Sequence, residues 1–253
     1  MVWQDAFFAG LLAELCPRAQ RSRVTTLLYE RAPEYRRGGA FFDVGLFAWE
    51  QRLFREGSAF PREGTILVGG VGGGRLLGPL LARGHRILGF DPSRLLDEAE
   101  VVAGGRDVKL ATGRYQDLGP ALQGEGPLAE LVAGEDIRAI ILAFGSMMHI
   151  TPGERRELFS NLRALAPAAP VFASFMVRRP NAEYDPIYER TRAALRRIGH
   201  SHPDDHVDFI VGVGFLHMPS RDEVAALCHG AGYDLTEYSE MPYGTAVALP
   251  RPP

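Results

Sequence analysis

The chain has 253 residues, 46% of them hydrophobic and 23% charged, with a formal net charge of -3. That size and composition suit one large globular α/β domain, or a core with a small appendage, and the negative balance argues against a nucleic-acid partner. No apolar run approaches the ~20 residues that span a bilayer, the two cysteines (Cys16 and Cys228) form neither a disulfide scaffold nor a zinc-ribbon spacing, and Lys109, the only lysine, leaves little room for lysine chemistry.

The chain opens on an apolar stretch from Trp3 to Leu15 that carries Asp5 and Glu14 and lacks a basic leader, so a signal peptide is not expected and a cytoplasmic protein is. Residues 1–60 read as a helical N-terminal cap. Leu11, Leu12 and Leu15 have helical spacing, which Val24, Leu27 and Leu28 resume after a break at Pro17. Phe42, Leu46, Trp49 and Leu53 predict one apolar helical face between Phe41 and Phe54.

From Thr65 the rhythm changes to alternating strands and helices. The predicted strands are 65–69, 86–90, 107–111, 137–143 and 170–176, and helices are expected over 76–83, 93–103 (capped by Ser93) and 152–166. Thr151-Pro152-Gly153-Glu154 is an N-cap, a proline at the first helical position and a capping-box glutamate. Residues 177–219 break the rhythm as an insertion: a helix over 186–198, a His/Asp-rich loop, then an apolar stretch over 207–216. A helix capped by Ser220 with Glu223 follows, and strands over 234–241 and 245–249 close the chain. Such alternation predicts an α/β fold with a mostly parallel sheet and helices on both faces, spanning residues 61–253.

Gly69-Gly70-Val71-Gly72-Gly73-Gly74-Arg75 follows the first strand and opens a helix. Glycines there let the backbone turn tightly and approach a ligand, which the N–H groups of the helix N-terminus then face. The dinucleotide fingerprint G-x-G-x-x-G/A fails, because its third position falls on Arg75 or Leu77. Asp91 ends the second strand about 20 residues further on, the spacing at which a carboxylate accepts ribose hydroxyls. Capping the next helix is its alternative role.

Here the sequence resembles the class I S-adenosylmethionine-dependent methyltransferases over about residues 60–250. Gly70, Gly72 and Gly74 with Asp91 look like the family's donor loop and ribose acid. Gly113-Arg114-Tyr115-Gln116-Asp117-Leu118 looks like its adenine-binding turn. Ile140 to Ile150, with Phe144 and Ser146, looks like the fourth-strand motif beside the sulfonium. The segment Tyr29 to Tyr35 resembles the cap element that closes over the donor in small-molecule members. The resemblance implies a seven-stranded Rossmann-like sheet of order 3-2-1-4-5-7-6, S-adenosyl-L-methionine as methyl donor, and a small-molecule acceptor methylated on oxygen or nitrogen. Val68 and Arg114 stand where the family usually has acids.

Methyl transfer rests on alignment and exclusion of water, and a base is needed only where the nucleophile carries a proton. His149 follows the fourth strand and is the base candidate; holding the loop by hydrogen bonds is its alternative role. Tyr29, Tyr35 and His217 are candidates for the acceptor site, which the insertion is expected to shape. The stretch His200 to His206 carries metal-ligating side chains but reads as a solvated loop, so no metal is expected. Another reaction of the same donor such as cyclisation, an RNA or protein acceptor, and a non-catalytic donor-binding role stay open, as does the oligomeric state.

Overall fold

A computed structural model describes residues 2–55, 58–200 and 207–252. The N-terminal segment forms α1 (Val2–Leu15), α2 (Arg18–Arg31) and the short α3 (Ala48–Leu53). The core then runs β1 (Gly64–Gly69), α4 (Leu77–Leu81), β2 (His85–Asp91), α5 (Leu96–Ala103), β3 (Val108–Thr112), α6 (Leu118–Ala121), α7 (Ala129–Val132), β4 (Ile137–Leu142), α8 (Pro152–Leu165) and β5 (Val171–Phe175). The insertion holds α9 (Asp185–Arg197) and a hairpin of β6 (Asp208–Ile210) and β7 (Gly214–Leu216). The chain ends with α10 (Arg221–Gly230), β8 (Tyr233–Ser239) and β9 (Gly244–Pro250).

The main sheet has seven strands in the order β3-β2-β1-β4-β5-β9-β8. The first five are parallel and β9 runs antiparallel to both of its neighbours. With the hairpin strands set aside, this is the order 3-2-1-4-5-7-6. Alternation along β1 divides the core: Ile66 and Val68 face a layer built on Leu77, Leu80, Leu96 and Ala99, and Leu67 faces one built on Leu118, Leu158, Phe159 and Leu162. A strand covered on both faces is therefore apolar throughout.

The capping boxes read from sequence form as expected. Thr151 Oγ1 accepts from Glu154 N at 3.2 Å, and Glu154 Oε2 accepts from Thr151 N at 2.7 Å. Ser220 and Glu223 repeat the arrangement at α10. Two local expectations are corrected. Ser93 does not cap α5, because its hydroxyl donates to Asp91 Oδ1 at 2.5 Å and the helix begins at Leu96. The aromatic stretch is not one helix over 41–54: it turns through Gly45 at φ +63° and becomes helical only at Ala48.

The N-terminal helices pack chiefly on the insertion. Ala6, Ala9, Gly10 and Ala13 line the buried face of α1, which lies against α9; a Cβ on Gly10 would stand 2.9 Å from Thr191 Cβ and the Tyr188 carbonyl. Ala9, Ala13, Tyr188, Val207, Phe209 and Phe215 form a separate third core there. Glu14, buried on α1, accepts from Arg192 Nε at 2.7 Å and lies 3.0 Å from Arg196 Nη2. Removing one partner of a buried ion pair leaves the other charge desolvated. Glu14→Ala is therefore expected to lower stability by about 3 kcal/mol in urea unfolding, with the secondary structure of the folded state unchanged.

Candidate active site

The strand order reverses between β1 and β4, where open parallel sheets bind ligands beyond the strand carboxyl ends. A cavity of about 190 Å³ lies there. Its floor is the glycine loop. Gly70 and Gly72 line it at φ +73° and +52°, the left-handed region that glycine enters without strain. A Cβ on Gly70 would lie 2.4 Å from Ser146 Cβ, so the loop can pass Ser146 only as glycine. Gly74 is not on the wall; it lets the loop pack against Ala99.

Asp91 closes the loop from the end of β2. Its Oδ2 accepts from Gly72 N at 2.9 Å, and its Oδ1 accepts from the backbone and hydroxyl of Ser93. Burial raises its pKa, the Ser93 and Gly72 hydrogen bonds pull it back, and nearby Glu30 adds to the rise. A carboxylate has about four acceptor positions, so Oδ2 keeps one lone pair beside the cavity.

Tyr115 and Ser146 form the next part of the wall. Ser146 Oγ donates to the Ala143 carbonyl at 2.7 Å, so the Tyr115 hydroxyl donates to Ser146 Oγ at 2.6 Å. The Tyr115 ring lies against Gly69, where a Cβ would come within 2.5 Å of Cε1. The Arg114 side chain is exposed; its backbone N–H donates to Asp117 Oδ2 at 2.7 Å. The acid of this turn thus comes three residues after Arg114.

The roof is aromatic and belongs to the N-terminal segment. Ring contacts run unbroken from His149 through Tyr29, Tyr35, Phe41 and Phe47 to Phe144, at centroid distances of 4.7 to 6.2 Å. Glu50 of α3 anchors this roof. Fully buried, it forms a bidentate pair with Arg75 at 2.5 and 2.7 Å and accepts from Phe47 N at 3.0 Å. The Arg75 guanidinium lies 4.3 Å from the Phe47 ring centroid.

His149 is partly buried at the far end of the cavity. Its Nδ1 lies 2.8 Å from the Phe215 carbonyl of β7, and its Nε2 lies 3.0 Å from the Tyr29 hydroxyl. A carbonyl only accepts, so Nδ1 carries the hydrogen. Burial lowers the pKa of the ring, opposed by the Phe215 bond, so the ring is neutral and the Tyr29 hydroxyl donates to Nε2. Burial raises the Tyr29 pKa well above its usual value, with Tyr35 and Asp91 adding to the rise.

A second cavity of about 80 Å³ adjoins the first, and the two share Ser22, Gln116, His149 and Ile150. The insertion lines this smaller cavity, through Val207, Phe215, Leu216 and His217, and not the larger one. The larger cavity instead takes Ser22, Thr25, Thr26 and Tyr29 from α2. His217 is buried: Arg155 Nη2 donates to its Nδ1 at 2.5 Å, and its Nε2 lies 3.3 Å from Glu223 Oε1.

Of the residues singled out in the sequence, Gly70, Gly72, Asp91, Arg114, Tyr115, Phe144, Ser146, Tyr29, Tyr35 and His149 meet on the larger cavity. Gly74 and His217 do not. Of the metal-ligating stretch His200 to His206, His200 is exposed and 201–206 lie outside the described residues; no cluster with metal-binding composition occurs among the described residues. Sequence reasoning missed Glu50, Arg75, Phe41 and Phe47. Glu50 carried one signal: an acid in an aromatic run that must be buried needs a cation, and Arg75 follows the glycine loop.

No known protein-family profile matches the chain, and no curated protein matches it in sequence. Solved structures do match. The DhpI complex with S-adenosylhomocysteine aligns with a TM-score of 0.59 at 14% identity, over 94% of this chain and 100% of that one. A Methanosarcina mazei S-adenosylmethionine-dependent methyltransferase aligns at 0.55 and 11% identity, over 81% and 98%. The Burkholderia thailandensis 1,6-didemethyltoxoflavin-N1-methyltransferase, bound to 1,6-didemethyltoxoflavin and S-adenosylhomocysteine, aligns at 0.52 and 15% identity, over 97% and 89%. At such identities the likeness is one of architecture, and the fold of this chain is that of the class I S-adenosylmethionine-dependent methyltransferases.

Proposed function

We propose that the chain is a methyltransferase that uses S-adenosyl-L-methionine to methylate an oxygen or nitrogen of a small molecule. The observation that carries this reading is the junction of the bare glycine loop with Asp91. Gly72 lines the cavity with nothing within 4 Å of the position a Cβ would take, and Asp91 beside it keeps a free lone pair. That combination fits a ribose over a glycine floor. In this reading Gly70, Gly72 and Asp91 hold the ribose and tail of the donor, with Gly74 supporting the loop. Arg114, Tyr115, Phe144 and Ser146 hold its adenine and sulfonium ends. When bound, the donor supplies a methyl carbon activated by its positively charged sulfur.

The chain's own residues bind, orient and exclude water. Residues 1–60 act as a cap over the donor domain of 61–253. Tyr29 and Tyr35 wall the acceptor end, and the insertion 177–219 shapes the adjoining smaller cavity, with His217 holding its base. His149 takes the acceptor's proton. The aromatic roof over this end, which includes Tyr35, Phe41 and Phe144, favours a small organic acceptor over a nucleic acid. No helix is long and apolar enough to cross a membrane among the described residues. The protein is expected to work in the cytoplasm.

Two measurements test the reading. Calorimetry should detect S-adenosylhomocysteine binding to the wild type, and Asp91→Ala should weaken it by about 1–3 kcal/mol through lost charge-assisted hydrogen bonds. Tight binding of NAD with none of S-adenosylhomocysteine would overturn the assignment. His149→Gln should bind S-adenosylhomocysteine like the wild type yet lose transfer by ~10²–10⁴-fold. Unchanged transfer in that variant would remove His149 from the chemistry.

A further inference from the structure

The neutral His149 ring has one basic lone pair, on Nε2, and the Tyr29 hydroxyl occupies it at 3.0 Å. Phe215 makes this state hard to rearrange. Its carbonyl takes the Nδ1 hydrogen at 2.8 Å, and its N–H donates to Thr25 Oγ1 of α2 at 3.0 Å, one turn before Tyr29. Gly214 allows the approach: at φ +101°, a Cβ there would lie 2.6 Å from Thr25 Oγ1. The backbone of β7 therefore holds both the tautomer of His149 and the helix that carries Tyr29. An acceptor in the larger cavity meets a tyrosine oxygen that is hydrogen-bonded to the imidazole at 3.0 Å and that also engages the Tyr35 hydroxyl.

Resting on the methyltransferase reading above, we infer that Tyr29 is the residue that contacts the acceptor, that it relays the acceptor's proton to His149, and that the acceptor is a neutral phenol- or enol-type hydroxyl on a planar molecule. In the step, the acceptor O–H bond breaks and its proton goes to Tyr29 Oη. The Tyr29 O–H bond breaks in concert and its proton goes to His149 Nε2. The freed pair on the acceptor oxygen forms the new bond to the methyl carbon as the carbon–sulfur bond breaks towards sulfur. His149 ends as an imidazolium held by the Phe215 carbonyl and returns the proton to solvent after product release. The high proton affinity of buried Tyr29 makes the two transfers concerted, without a free tyrosinate.

The charges of the site select the acceptor. Among the described residues, the charged side chains lining the larger cavity are Asp91, Arg75 and Arg114. Asp91 is engaged by Gly72 and Ser93, Arg75 by Glu50, and Arg114 faces Asp117. Asp91, the one carboxylate among them, is already held by Gly72 and Ser93 and is assigned to the donor in the reading above, and each arginine already meets a carboxylate. The walls are flat rings, with Tyr35 and Phe41 stacked at 5.3 Å and 11°. A neutral planar hydroxyl fits this lining.

The test uses the full chain, S-adenosylmethionine tritiated on the methyl, and phenol, catechol, 4-nitrophenol, 4-hydroxyquinoline and aniline as probes. The wild type should label a hydroxyl oxygen, and Tyr29→Phe should slow that transfer by ~10²–10⁴-fold while S-adenosylhomocysteine still binds. Nitrogen-15 NMR of the His149 ring, identified by its loss in His149→Gln, supplies a readout independent of turnover. It should show the Nδ1–H tautomer in the wild type and an Nε2 without its hydrogen bond in Tyr29→Phe. The rate should fall as pH drops below the ordinary histidine value of about 6.5, because protonated His149 cannot take the relayed proton. The other ionisable groups on the two cavities around His149 are Arg18, Arg21, Tyr29 and Tyr35 from the N-terminal segment, Asp91, Arg114, Tyr115, Glu154 and His217, with Arg75 at the glycine loop. The acid limb should therefore vanish in Tyr29→Phe, whereas a limb set by the titration of any of those groups other than Tyr29 would persist in that variant and overturn the relay. Full transfer by Tyr29→Phe with none by His149→Gln would mean that His149 meets the acceptor directly, and would overturn the relay. Labelling of aniline alone, or of no probe, by a protein that binds S-adenosylhomocysteine would overturn the hydroxyl assignment and leave the donor reading standing. Failure to bind S-adenosylhomocysteine would sink both.

Discussion

The ion pair between Glu50 and Arg75 is the contact on which the site depends. Both oxygens of Glu50 meet the guanidinium end-on, and the Phe47 backbone N–H and ring complete the enclosure. Buried charges are expensive unless every donor and acceptor is satisfied. Here the cost is offset only when α3 sits on the glycine loop. The pair thus makes the roof and the floor of the cavity depend on one another. Phe41, Phe47 and Tyr35 give the cavity an apolar lining on this side, with Phe47 buried and Phe41 still open to solvent.

A second dependence runs through the insertion. The hairpin of β6 and β7 is too short to be stable alone, and it is held from two sides. Phe209 and Phe215 share a core with Ala9 and Ala13 of α1 and Tyr188 of α9. The backbone of β7 and the residue after it then reach the turn that carries His149, through Phe215 O to Nδ1 and His217 N to Met148 O at 2.8 Å. The helices α1 and α2 and the insertion pack as one body beside the sheet, whereas Leu46, Leu53, Phe54 and Phe60 join the core over β1. His149 sits where that body meets the carboxyl end of β4, so the residue and its two hydrogen-bond partners come from three separate parts of the chain.

Local interactions were legible in the residues themselves. The alternation of strands and helices from residue 65, the capping boxes at Thr151 and Ser220, the loop at Gly70 to Gly74 and Asp91 at the end of β2 all depend on neighbours within a few positions or on a strand-to-strand spacing. A capping box closes within one helical turn, and a buried parallel strand must be apolar on both faces. Periodicity misread the stretch 41–54 because its apolar spacing comes from a turn at Gly45 followed by aromatic stacking, which mimics one face of a helix.

The sequence by itself determined the α/β order, the glycine loop and the acid that closes it, and the breaks in rhythm before residue 60 and over 177–219, because backbone hydrogen bonding and hydrophobic periodicity are short-range. Only the tertiary structure decided which walls face the cavity. Glu50 and Arg75 lie 25 positions apart, so the aromatic run around Glu50 signals that it needs a cation but no local rule says which one. Tyr29 and His149 meet across 120 positions, and Phe215 reaches His149 across 66. The tautomer of a histidine is set by whichever carbonyl folding brings to its ring, so that decision belongs to the packing of α2 and β7 against the turn after β4.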